Sequence, residues 1–270
     1  MPLLRRSLLL AAPALALGSA IHAQGSRSAD GQDGGPALVA AAADLQFVLE
    51  EVATRFRADT GLDVRLVFGS SGNLARQAEQ GAPFQVLMSA DEGFVFRLAD
   101  SGAARDRGAL YAEGRIVVFA PPGSPLQVDG RLDGLRAALD AGQVTRFAIA
   151  NPEHAPYGRA AEEALRSAGL WDRVQPLLVL GENVAQAMQF ATTAGAQGGI
   201  VALSLARAPQ TQGRGSFAVL PDAWHKPLLQ RMALLRPAGA AAERFYAYMQ
   251  ASPAREVMRR YGFVLPGEVQ

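Results

Sequence analysis

The sequence predicts an α/β protein in which largely parallel strands are covered by helices. Two observations lead there. From Ala37 to about Leu205, short apolar or alternating segments take turns with segments of helical period. Between them, turns that bear Gly, Ser, Asn or Asp fall after strands and before helices, the place where open α/β sheets bind their ligands.

The elements run in order. Residues 37–42 are short and apolar, a buried strand. Leu45, Val48, Leu49, Val52 and Phe56 mark one face of a helix that stops at Gly61. Val64, Leu66 and Phe68 alternate with Asp63, Arg65 and Val67, a strand that runs into a Gly/Ser turn. A helix on Leu74, Ala75 and Ala78 ends at Gly81, residues 84–88 form a strand, and 91–101 a helix closed by Gly102. Later strands are expected at 116–120, 147–150, 177–180, 199–203, 217–220 and 228–235, and helices at 159–167, 183–193 and 240–250. No internal repeat stands out.

The N-terminus speaks to compartment. Arg5 and Arg6 precede an apolar run over 7–20, and Ala23 offers a small residue for cleavage, so residues 1–23 read as an export signal peptide cleaved after about Ala23. Pro13 and Gly18 interrupt a run already too short for a membrane span. The paired arginines leave both the general secretory and the twin-arginine routes open. Residues 24–36 are rich in Gly, Ser, Asp and Gln and read as a flexible linker. The chain has no Cys, so no disulfide and no lipid-anchored cysteine is expected. Within 270 residues there is room for a large core or two lobes. The formal charge of +1 is more than accounted for by Arg5 and Arg6, which gives no reason to expect a nucleic acid or an acidic membrane as partner.

The turn Phe68-Gly69-Ser70-Ser71-Gly72-Asn73-Leu74-Ala75-Arg76-Gln77 is the most informative stretch. A helix start leaves backbone N–H groups unpaired and carries partial positive charge, which suits an anion. Gly69 and Gly72 allow close approach of the backbone, and Ser70 and Ser71 add hydroxyl donors. The Gly-Lys-[Ser/Thr] of a P-loop is missing, so the turn fits a small held anion better than phosphoryl transfer. Three further turns occupy the same kind of place: Ala42-Ala43-Asp44, residues 151–158, and Gly181-Glu182-Asn183-Val184. Four such turns in one alternating chain suggest a shared cleft.

Other constellations compete with this reading. A hydrolase would need Ser70 or Ser71 with His154 or His225 and an acid, yet the Gly-x-Ser-x-Gly elbow is absent because Asn73 holds the last glycine position. Glu153-His154 lacks a second His at ligand spacing, and His154 reads as a hydrogen-bonded residue of its turn. Trp171 and Trp224 read as core packing, and Arg255, Arg259 and Arg260 as a solvated helix face.

Taken together, the turns resemble the periplasmic molybdate-binding proteins of ABC importers. The segments that carry the resemblance are Ala40-Ala41-Ala42-Ala43-Asp44-Leu45, the 68–77 turn, Gly81-Ala82-Pro83 and Ser89-Ala90-Asp91. Downstream they are Asn151-Pro152-Glu153-His154-Ala155-Pro156-Tyr157-Gly158-Arg159, Gly169-Leu170-Trp171-Asp172, Glu182-Asn183-Val184, Gly199-Ile200-Val201 and Arg260-Tyr261-Gly262-Phe263. The resemblance implies a two-lobed periplasmic binding protein of type II, each lobe a mostly parallel sheet flanked by helices, with the ligand in the interlobe cleft. It places lobe I at 37–117 plus 232–270 and lobe II at 118–231. It also implies a monomer without cofactor or catalysis, delivering molybdate or tungstate to a membrane permease and its ATPase.

The resemblance assigns Ser71 to the serine of the Ser-Ser turn, with Ser70 beside it, and Val184 to a position that donates its backbone N–H. Three positions depart from the pattern. Asp44 stands where the family places a serine, Tyr157 where a small residue would donate its amide, and Ala202 where a tyrosine hydroxyl is expected. Tyr157 swinging its hydroxyl into the space vacated at Ala202 would preserve one phenolic donor. Asp44 either carries a proton, or caps the following helix and points away, or marks a different ligand: a metal ion, a cationic solute or a protonated one.

Overall fold

The computed structural model describes residues 35–193 and 195–268. The expected signal peptide over 1–23, and all of the 24–36 linker except Gly35 and Pro36, lie outside the described residues.

The first half of the chain forms β1 (Ala37–Ala42), a 3-10 turn (Ala43–Leu45) that leads directly into α1 (Gln46–Thr60), β2 (Val64–Gly69), α2 (Ser71–Glu79), β3 (Val86–Ser89), α3 (Glu92–Asp100), β4 (Ala109–Gly114) and β5 (Ile116–Ala120). The second half forms α4 (Asp133–Asp140), β6 (Phe147–Ala150), α5 (Pro156–Ser167), α6 (Trp171–Val174), β7 (Leu178–Gly181), α7 (Val184–Thr193), β8 (Gly198–Ala202) and α8 (Leu203–Arg207). It closes with β9 (Ser216–Val219), β10 (Leu228–Leu234), α9 (Ala240–Met249) and α10 (Ser252–Arg260). Local chemistry explains the clearest of them. In α1 the buried face is Val48, Leu49, Val52 and Phe56, and Gly61 ends the helix at φ 72°, a left-handed value open to glycine. Phe56 then packs edge-on against Phe245 of α9, with ring centroids 5.3 Å apart.

The strands form two five-stranded sheets, ordered β2-β1-β3-β10-β4 and β7-β6-β8-β5-β9. In the first sheet β1 pairs in parallel with β2 and β3, while β10 is antiparallel to β3 and β4. In the second, β6 pairs in parallel with β7 and β8, while β5 is antiparallel to β8 and β9. Each sheet thus has a single reversed strand, and that strand is the first one laid down after the chain crosses over from the other sheet.

The points of crossing differ from the expected lobe limits. Ile116 and Val117 pair with Ala202 and Val201 in the second sheet, so the chain changes sheet at Arg115 rather than after residue 117. Leu228 to Arg231 pair with β4 in the first sheet, so the return lies in 220–227 rather than after residue 231. The first crossing is a single residue between two strands, and the return carries a short 3-10 turn at Asp222–Trp224. One side chain ties them together: the Arg115 guanidinium reaches Glu113 at 3.1 Å and Asp222 of the return crossing at 2.5 Å.

Strand register fixes where the turns lie. Ala42 and Gly69 are partners at the ends of β1 and β2, and Ala150 and Gly181 at the ends of β6 and β7. The turns after β1 and β2 therefore lie side by side, and so do those after β6 and β7. Gly181 is fitted tightly, because an added Cβ would stand 2.6 Å from the Ala187 nitrogen and 2.9 Å from the Asn183 oxygen. Gly181→Ala must shift the start of α7. It is expected to destabilise the protein by about 1–3 kcal/mol, a melting point several degrees lower; an unchanged thermal melt would contradict this packing.

Candidate functional site

The five residues singled out by sequence, Asp44, Ser70, Ser71, Tyr157 and Val184, line one small cavity with about 10 Å³ of free volume. Four helix starts meet there: the 3-10 turn that opens α1, and the N-termini of α2, α5 and α7. Each is held by its own local chemistry. Ser70 precedes α2 in extended conformation, at φ −72° and ψ 142°. Pro156 opens α5, a position that needs no N–H. Before α7 the Asn183 side chain accepts from the Gln186 N–H at 3.0 Å, and the Gln186 side chain accepts in turn from the Glu182 N–H at 2.6 Å. Among the described residues, no lysine or arginine lines the cavity. Any attraction it has for an anion therefore rests on the peptide dipoles and first-turn N–H groups of these helix starts.

Ser71 is poised as a donor. Its Oγ accepts from the Ala90 N–H at 2.9 Å, which leaves the hydroxyl proton for a third party. Ser70 Oγ lies 3.0 Å from His154 Nδ1, and the His154 carbonyl accepts from the Gly72 N–H at 3.0 Å. His154 is thus a hydrogen-bonded residue of its turn, as expected, and it also joins the two sides of the cleft. Asn73 with Glu182 and Arg159 with Asp91 join them as well. There is no room for a side chain at Gly72, where a Cβ would stand 2.7 Å from the His154 oxygen. The cleft is closed. A Ser70–His154–Glu182 relay is incomplete, because His154 Nε2 is 3.7 Å from Glu182, beyond hydrogen-bond reach, and Glu182 is engaged by Asn73.

Asp44 does not cap α1. It lies inside the 3-10 turn and makes no cap bond there. Its Oδ2 accepts from the Tyr157 hydroxyl at 3.0 Å and from Gln230 Nε2 at 2.7 Å. The Tyr157 proton is thereby directed to Asp44, and Tyr157 is among the residues that line the cavity. Ser204 Oγ donates to the Asp44 carbonyl at 2.7 Å, and the Tyr111 hydroxyl donates to Gln230 Oε1 at 2.8 Å. Gln230 and Tyr111 are functional neighbours that sequence reasoning missed. A glutamine within the apolar 228–235 strand was the available signal, since a buried amide needs a partner.

The electrostatics of Asp44 are unusual. Burial pushes its pKa up from the ordinary 3.8 to about 6, against the hydrogen bonds from Gln230 and Tyr157, which favour the charged form. The same burial, followed by the charge of Asp44, holds the Tyr157 and Tyr111 hydroxyls well above the ordinary value of 10.0. Asp44 Oδ1 is buried without a hydrogen-bond partner among the described residues. A unit negative charge about 4 Å away would be repelled by roughly 4 kcal/mol at an effective dielectric of 20, and a dianion by about twice that. Placing a proton on Asp44 at pH 7, one unit above its pKa, costs only about 1.4 kcal/mol. Among the described residues, no group of three or more His, Cys, Asp or Glu could hold a metal ion.

A carboxyl raised in the folded state binds its proton there more readily than in the unfolded chain. Stability therefore falls as pH rises from 3.8 to about 6 and stays reduced above that. Asp44→Asn, which cannot ionise, is expected to be more stable than the wild type by about 2–3 kcal/mol at pH 7.5 and to lose the advantage near pH 4. Denaturant melts at the two pH values check this; an advantage equal at both would contradict it.

Residues 37–264 match the bacterial extracellular solute-binding protein family. The molybdate-binding protein ModA of Rhodobacter capsulatus is 34% identical over 235 residues, covering 85% of this chain and 88% of that one. The molybdate-binding protein ModA of Escherichia coli is 33% identical over 234 residues, covering 86% and 90%. The solved structure of the Azotobacter vinelandii periplasmic molybdate-binding protein superposes with a TM-score of 0.77 at 30% identity, covering 85% of this chain and 99% of that one. The two mixed sheets, the closed cleft and the run of matched residues lead to one conclusion: the chain belongs to the bacterial extracellular solute-binding proteins, and among them to the ModA-type molybdate-binding family.

Proposed function

We propose that this protein captures a small tetrahedral oxyanion, molybdate or tungstate, by closing two lobes upon it, and carries it in the periplasm to an ABC permease and its ATPase. The lobes are 37–114 plus 228–268 and 116–219, joined by the crossings at Arg115 and 220–227. The protein works as a monomer, a carrier and not a catalyst.

The observation that carries the reading is the donor set. Four helix starts and the Ser71 hydroxyl, whose oxygen is already occupied by Ala90 N–H, converge on a cavity that no described lysine or arginine lines. Oriented dipoles of this kind satisfy an anion yet leave it releasable. A cationic ligand would meet the positive ends of four helices and a single carboxyl, which is why the oxyanion is preferred.

Calorimetric titration with molybdate, tungstate, sulfate and phosphate tests this. Tight binding of the first two with a raised melting point is expected, and no heat with any of the four would overturn the reading. A hydrogen bond to a charged group contributes about 1.5–3 kcal/mol, so Ser71→Ala is expected to weaken molybdate binding roughly 10- to 100-fold. Unchanged affinity in that variant would remove Ser71 from the site.

A further inference from the structure

Resting on the oxyanion reading, we propose that Asp44 binds the ligand as a neutral acid, donating a proton from Oδ1 to a ligand oxygen, so that capture of a dianion takes up one proton from solution.

The geometry assigns the proton to one oxygen. Oδ2 already receives the Tyr157 hydroxyl at 3.0 Å and the Gln230 amide at 2.7 Å, and the Tyr111 hydroxyl fixes that amide by donating to its Oε1 at 2.8 Å. A proton on Oδ2 would oppose both donors. Oδ1 is the free oxygen: it is buried, it has no hydrogen-bond partner in any other described residue, and Asp44 is among the residues that line the cavity. A buried polar atom without a partner in an otherwise well-bonded network calls for a missing one. An ionised Oδ1 would present lone pairs to the lone pairs of the oxyanion, whereas a protonated one supplies the donor that the site otherwise lacks there.

Few other groups around Asp44 can titrate in the neutral range. Tyr157 of α5 and Tyr111 of β4 are held protonated by burial. Gln230 of β10 and Ser204 of α8 are neutral. The α7 helix has no titratable side chain along its length, and the first turn of α1 has no acidic one. His154 lies on the far side of Ser70, with the charges of Glu182 and of the Arg159–Asp91 pair also at the cleft, and a substitution at Asp44 separates their effect. Burial leaves the Asp44 carboxyl at about 6, so the proton is within easy reach at neutral pH.

The test is titration with sodium molybdate and sodium tungstate, both dianions between pH 6.5 and 8.5, in buffers of different ionisation enthalpy. The wild type is expected to lose affinity about tenfold per pH unit over this range and to take up close to one proton per ligand at pH 8. Asp44→Asn keeps an acceptor for Tyr157 and Gln230 and places an amide donor at Oδ1. It is expected to bind with no pH slope and at least tenfold more tightly than the wild type at pH 8. Binding that is flat with pH and takes up no proton would overturn the proposal while leaving the oxyanion reading intact. A slope retained in Asp44→Asn would overturn it in favour of His154. No binding at any pH, in wild type and variant alike, would overturn the oxyanion reading and this proposal together. The proton-uptake measurement on the wild type needs no variant, so a poorly folding Asp44→Asn does not shield the claim.

Discussion

Ala42 opposite Gly69, and Ala150 opposite Gly181, are the pairings on which the cleft depends. Parallel strands that end in register must turn into their helices at the same level, so each sheet delivers two helix starts side by side. When the sheets face one another, four partial positive charges and their unpaired N–H groups surround one small space. A slip of one residue in either pairing would turn its strand over and move a helix start out of the ring. The tight glycines arise from the same constraint. Gly181 and Gly72 stand where a Cβ would press on the backbone of Asn183 and His154, the very turns that the register brings close.

A ring of dipoles carries no counter-ion, and that shapes the second layer of the site. The carboxyl that lines the cavity is that of Asp44, and it is held by a neutral network of Tyr157, Gln230, Tyr111 and Ser204. The network spans both lobes: Gln230 and Tyr111 belong to the first sheet, Tyr157 to the helix over the second. Lobe closure and the environment of Asp44 are therefore coupled. Separating the lobes parts Tyr157 from Asp44, which admits water and lowers the penalty on the charged form.

The elements with strong period were legible in the sequence. The helix from Gln46 to Thr60 and the strands at 37–42, 64–69, 116–120 and 147–150 agree with expectation to within a residue or two, because their buried faces and closing glycines are written locally. The start of α5 was missed by three residues, since Pro156 reads as a turn until its place at the first helical position is seen. The β4 strand, Ala-Leu-Tyr-Ala-Glu-Gly, lacks clean alternation, and its partner β10 is more than a hundred residues away. The candidate site divides in the same manner. Ser70, Ser71 and Val184 sit in local motifs and could be found there. The bonds made by Asp44 could not, because they reach to residues 157 and 230, and only the folded chain brings those together. Chemistry at a position is local information; its orientation is not.

The most direct test of the account is anomalous diffraction at the molybdenum edge from crystals grown with molybdate. One strong peak is expected inside the cavity, with its oxygens in hydrogen-bond range of Ser71 Oγ, of the N–H groups of Tyr157 and Val184, and of Asp44 Oδ1. A peak elsewhere, or an oxyanion turned away from Asp44 and Ser71, would contradict it.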